Sequence, residues 1–264
     1  MKNKIHYTSS VWFDVMLILL ASVAGSIDVM SYYRLNHVFT ANMTGNTILL
    51  GLSIGQGKLA SSMHSLVALA GFFSGAFAGA LIVENKKKGW SYYITLSVAI
   101  EAFIIFILAL IWFKESTPLQ NPVLYISILL SAIAMGIQSA AIRHLNIPGV
   151  VTTFITGTIT SIGMSAVSGL RNGFKKKVKD GLPQLPVTKN LEQRIELQIM
   201  VFFAYGLTAV VTGWIEYRGA TLLPVLPLAL ILFVLVICII EPQNSHFEET
   251  NNGNINKAAR QEIR

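Results

Sequence analysis

The chain has 264 residues, of which 53% are hydrophobic and only 12% charged, with a mean hydropathy of +0.59. Soluble domains carry about 25% charged residues, so the composition excludes a soluble globular protein and points to an integral membrane protein. The net charge of +7 is no sign of nucleic-acid binding, because the basic residues cluster in loops, at Lys86-Lys87-Lys88 and over residues 171–179, where Lys and Arg mark the cytoplasmic face and meet anionic lipid.

Residues 1–10, with Lys2 and Lys4, are expected to be a cytoplasmic N-terminus. The apolar run behind them is long, carries Asp28 near its end and has a counterpart later in the chain, so it belongs to the mature membrane domain and not to a signal peptide. About 20 helical residues cross the roughly 30 Å hydrocarbon core. Residues 11–30, 65–83 and 90–113 meet that length in the first half, and 123–142, 197–215 and 220–240 in the second. The tail, 242–264, is polar, has no apolar face and is expected to be disordered and cytoplasmic.

Two further segments, 38–54 and 150–170, hold a repeated polar motif. Asn42-Met43-Thr44-Gly45-Asn46 in the first matches Phe154-Ile155-Thr156-Gly157-Thr158 in the second, and Arg34 with Leu35-Asn36 has its partner in Arg143 with Leu145-Asn146. The chain therefore divides into membrane repeats at 11–117 and 118–241, the second holding a basic cytoplasmic loop at 171–196. If both motif segments crossed, eight spans would form a 4+4 parallel repeat with the two basic loops on opposite faces, against the positive-inside rule. If neither crosses, both basic loops share the face of the N-terminus. The expected fold is thus all-α and polytopic, with six transmembrane helices plus two broken or re-entrant segments in a 3+3 inverted repeat.

Thr and Asn are favoured helix N-caps, and Gly permits the turn that a half-helix start demands. A helix start at mid-membrane presents unpaired amides and a partial positive charge, which suits an anion or the carboxylate end of a solute. Asn42, Thr44, Gly45, Asn46, Thr156, Gly157 and Thr158 are accordingly the candidate solute-binding residues. The competing account is that these small polar residues only let helices approach and bond to one another. Glu101, in the middle of the third run, and Asp28 are candidate ion-coupling residues, since an intramembrane carboxylate is expensive and functional by default; a neutral Glu101 bonded to a neighbouring helix is the alternative.

Arg34 and Arg143 suit either an anionic solute or snorkelling to the interface. Gly71, Gly75 and Gly79 recur on one helical face as a packing stripe. His37, His64 and His144 lack ligand spacing with any acid or cysteine, and Cys238 is the lone cysteine, so neither a metal site nor an intrachain disulfide is expected. The stretch 51–58 is no phosphate loop, because Gly57-Lys58 is followed by Leu59. With no zinc or serine-nucleophile motif present, neither an enzyme nor a cofactor is expected.

The run Gly25-Ser26-Ile27-Asp28 through His37-Val38-Phe39-Thr40-Ala41-Asn42-Met43-Thr44-Gly45-Asn46 resembles the YoaK-like bacterial transmembrane family, a group of membrane proteins of similar length with no established substrate. The resemblance covers residues 11–241 and implies a multi-pass protein of the bacterial cytoplasmic membrane. The second copy departs from the motif, with Phe154 and Thr158 where the first has Asn42 and Asn46, which makes the first copy the stronger candidate for solute contact. The expected function is a secondary transporter or permease for a small solute, an anion being the class that the motif suits, with the site at the Thr-Gly broken segments; a channel of similar architecture and a non-transporting membrane scaffold are the alternatives. Expected partners are the solute and membrane lipids, with no nucleic acid. The sequence leaves open self-association into a homo-oligomer and capture of a soluble partner by the basic loop.

Overall fold

The computed structural model describes residues 11–84, 90–114, 119, 121–147, 152–153, 155–175, 195–218 and 224–240. Residues 1–10, the lysines at 86–88, Phe154, most of the basic loop and the tail lie outside the described residues. Eight helices and no strand occur among those described: α1 (Val11–Arg34), α2 (Met43–Gly55), α3 (Leu59–Val83), α4 (Tyr92–Lys114), α5 (Asn121–His144), α6 (Ile155–Lys175), α7 (Ile195–Tyr217) and α8 (Val225–Ile240). Helices α1, α3, α4, α5 and α7 are long and apolar enough to cross a membrane, whereas α8 and the Ile155–Val167 part of α6 are apolar but shorter. At 1.5 Å per residue the 13 residues of α2 reach only about 20 Å.

The helix ends follow from local chemistry. Pro122 and Pro227 sit in the first turns of α5 and α8, where proline removes no helical hydrogen bond. Both α1 and α5 stop at an asparagine in the left-handed region, Asn36 at φ 55° and Asn146 at φ 52°, a conformation that asparagine tolerates better than most residues and that turns the chain off the helix axis.

Packing brings α1 and α7 together in parallel. Gly25 lies against the Tyr205 carbonyl and Thr208, Ser26 bonds Thr212 at 3.1 Å, Gly213 faces Val29, and Arg34 pairs with Glu216 at 3.5 Å. Helices α3 and α5 are also parallel: Gly71 meets Leu129 and Ala132, Gly75 meets Ile133, and Gly79 meets Ile137 and Ala140, while Gly136 of α5 fits against the Phe72 carbonyl. The glycine stripe is a close-approach seam on which backbone meets backbone.

Two buried cores bracket the bundle. Met16, Val83, Trp90, Ile94, Ile142, Leu145 and Cys238 belong to one, and Met30, Leu35, Ala68, Leu108, Trp112, Leu124 and Ile128 form the other. The start of α1 and the end of α5 therefore share one end of the molecule, and the end of α1 and the start of α5 share the opposite end. Exposed Trp and Tyr gather at the same two levels, Trp12, Tyr92 and Tyr93 at the first and Tyr32, Tyr33, Trp214 and Tyr217 at the second, as in the aromatic belts at membrane interfaces. Between them, outward side chains such as Phe73, Phe77, Phe103, Leu207 and Val210 are apolar and exposed, which suits lipid.

A Cβ added at Gly75 would sit 2.7 Å from the Ile133 Cα, whereas one at Gly51 meets nothing within 4 Å. Gly75→Ala should destabilise the bundle by about 1–3 kcal/mol through overpacking. Gly51→Ala should be neutral or stabilising by up to about 1 kcal/mol, from helix propensity. Unfolding of the detergent-solubilised variants measures both.

Candidate functional site

After Asn36 the chain turns back along α1, and its backbone finds a partner in Asp28. The amides of Thr40, Ala41 and Asn42 donate to Asp28 Oδ1 at 2.9, 2.7 and 3.3 Å. Tyr205 of α7 donates its hydroxyl to Asp28 Oδ2 at 2.6 Å, and the Ser31 and Thr40 hydroxyls bond at 2.9 Å. Asp28 lies 2% exposed, so these bonds satisfy a buried carboxylate and three amides at once. Since Asp28 precedes Arg34 by six residues, the break reaches about 9 Å back along the helix.

The motif residues of the first break are largely committed to holding it. Asn42 caps α2, its Oδ1 accepting from the Gly45 amide at 3.2 Å. Asn46 is buried and clamps Phe39 twice, accepting from its amide at 3.0 Å and donating to its carbonyl at 2.6 Å. Gly45 lies against the Phe39 ring, which a Cβ would meet at 2.8 Å. Thr44 alone of the four is exposed. Of the amides around the start of α2, those of Thr40, Ala41 and Asn42 hold the Asp28 carboxylate and that of Gly45 the Asn42 side-chain oxygen.

The second break repeats the plan with a neutral group. Gln138 stands seven residues before Leu145, as Asp28 stands seven before Leu35. Its Nε2 donates to Thr152 Oγ1 at 2.9 Å and to the Leu20 carbonyl of α1 at 2.9 Å, and the Ser139 and Thr153 hydroxyls bond at 2.9 Å. Thr158 is buried like Asn46, Thr156 is exposed like Thr44, and Gly157 is half-buried. The first hydroxyl after each motif bonds back to its own helix, Thr47 to Met43 and Thr160 to Thr156.

Glu101 lies on the inner face of α4 and bonds to neither break. It is 0% exposed, and neither carboxylate oxygen has a hydrogen-bond partner. The Ser127 and Ser131 hydroxyls and Gln138 Oε1, all on α5, are likewise buried without partners. Arg34 makes its ion pair with Glu216, and Arg143 is exposed at the end of α5. Among the described residues no three of His, Cys, Asp and Glu come together as metal ligands.

Reading the chain alone singled out Asp28, Glu101 and the motif, but missed Gln138, Tyr205, Thr40 and Thr152. Gln138 had a signal in its spacing to Leu145; Tyr205, distant in sequence and on an apolar helix, had none.

Fold and site together define a multi-pass helical membrane protein with two polar chain breaks folded into its bundle. The chain belongs to the family described as Protein of unknown function (DUF1275), which matches residues 16–238. It is similar to the UPF0700 transmembrane protein YoaK of Bacillus subtilis (strain 168), with 40% identity over 174 residues, covering 65% of this chain and 74% of the relative. No solved structure matches it.

Asp28→Ala strips three amides, two of them buried, of their acceptor, at about 1–3 kcal/mol for each buried one, and should destabilise the fold by several kcal/mol. Asp28→Asn keeps Oδ1 as acceptor and should cost less than half as much. Chemical denaturation of the two variants in detergent compares them.

Proposed function

We propose that this protein is a secondary transporter, not an enzyme, for a small polar solute, working by alternating access around two oppositely oriented breaks. The observation that carries the reading is the pair of returning segments, each tied to a buried polar side chain at the matching position of its preceding helix: Asp28 to Thr40 and Gln138 to Thr152.

The direction of the helices supports opposite entry. Helix α1 ends at the level where α3 begins, beside Leu124 and Trp112, so residues 35–58 leave and return on one face. Helix α5 ends at the level of Met16, and α7, parallel to α1, begins there with Leu197, so α5 is left and α7 entered on the other. Counting α8 as a crossing, six spans and two re-entrant segments result, with α1 and α5 antiparallel as a 3+3 inverted repeat requires. Both basic loops then fall on the face of both termini, the cytoplasmic one in a bacterial cell membrane.

Within this arrangement Asp28, Asn42, Gly45 and Asn46 are the framework of the first break. Solute contact falls to Thr44 and to Thr156, Gly157 and Thr158 of the second, and Glu101 is the carboxylate that carries a coupling ion.

Cysteines introduced at Lys87 and Lys176 in a Cys238→Ser background should label from the same face with an impermeant reagent, and one at Lys58 from the opposite face; labelling of Lys87 and Lys176 from opposite faces restores eight spans. Purified protein in liposomes should give solute uptake that saturates and responds to an ion gradient. Uptake linear in solute and indifferent to gradients would mean a channel, and none across a broad solute screen would end the transport reading.

A further inference from the structure

We infer that Glu101, with Ser131 and Gln138 of α5, forms a binding site for one monovalent cation inside the bundle; this rests on the transporter reading and names its ion class. The unpartnered buried groups here can all accept: both Glu101 oxygens, the Ser127 and Ser131 hydroxyls, and Gln138 Oε1, each on a residue no more than 1% exposed. The two serines are telling, because Ser22, Ser62, Ser74 and Ser97 all donate to the carbonyl four residues back in their own helices, and Ser127 and Ser131 do not. With Gln138 they lie along one stripe of α5.

The register of α4 against α5 brings these groups to one depth. The two helices run in opposite directions, Leu108 and Trp112 sharing a core with Leu124 and Ile128 at one end, and Ile94 and Val98 sharing one with Ala141 and Ile142 at the other. Glu101 and the Ser131-to-Gln138 stretch lie between.

Charge then fixes the ligand. The helices packed against α4 are α3, α5 and α8; their titratable or basic side chains are His64 on α3, Tyr125, Arg143 and His144 on α5, and Cys238 on α8. His64 and Tyr125 lie tilted against each other near one end, and the other three sit near the opposite end of the bundle, so among the described residues no basic group neutralises Glu101. Asp28 is no second ligand, since its oxygens are taken by three amides and Tyr205. One unpaired carboxylate among neutral oxygens matches one positive charge, whereas a divalent ion takes more carboxylates and an anion needs donors. An alkali ion and a small primary ammonium share this chemistry.

Equilibrium binding of labelled sodium, rubidium, methylammonium and chloride to the full chain in detergent decides it. At least one of the three cations should bind saturably, one per chain, and chloride should not; which cation binds separates the alkali from the ammonium source. Glu101→Gln should weaken binding at least tenfold while its melting temperature stays equal or rises, since it removes a buried unpaired charge, and Ser131→Ala should weaken binding three- to tenfold. Binding of none of the cations by wild type, or full binding by folded Glu101→Gln, overturns the site, and unchanged binding by Ser131→Ala overturns the part assigned to α5. Saturable solute flux without cation binding would sink this inference alone, while cation binding without flux would sink the transporter reading and leave the site standing.

Discussion

Backbone amides cannot be left unpaired away from water, and in a membrane that rule admits little besides helices. This chain breaks its helices twice, and a buried side chain bonds the returning segment each time, Asp28 through backbone amides and Gln138 through the Thr152 hydroxyl. The Asp28 carboxylate does the larger share, gathering three consecutive amides on one oxygen and the Tyr205 hydroxyl on the other. It thereby joins the end of α1, the first break and α7 into one unit. The approach of α1 to α7 depends on Gly25, whose missing Cβ leaves room for the Tyr205 carbonyl.

The two breaks solve the same problem with different charge. Gln138 takes the place of Asp28 and ties Thr152 to α1 through neutral hydrogen bonds, which are roughly half as strong as charge-assisted ones. The exchange of Asp for Gln also leaves a carbonyl oxygen on the inner face of α5 with nothing to bond. The polar interiors thus differ: Asp28 has both oxygens bonded, whereas Gln138 Oε1 and the Glu101 oxygens have no partner.

Much of the architecture was legible in the chain. Apolar length marked the spans, and α1, α3, α4, α5 and α7 formed where the runs lay. The repeated Leu-Asn pair marked the helix ends, since Asn36 and Asn146 both adopt the left-handed turn. The site was legible only in part. Asn42 and Asn46 are polar residues in an apolar stretch, which draws attention to them, but polarity does not say whether a group bonds a solute or its own backbone. Their bonds to Gly45 and Phe39 answer that.

What the sequence alone determined is a polytopic helical membrane protein with a duplicated polar break and two acids in its interior, because hydropathy, helix caps and repeats are local or periodic properties. Only the tertiary structure decided which acid has its bonding capacity filled. Asp28 and Glu101 are both carboxylates within apolar helices; one meets three amides and a tyrosine brought from 12 to 177 residues away, and the other meets no donor. That difference depends on which groups long-range packing brings within about 3 Å, and no pattern along the chain encodes it.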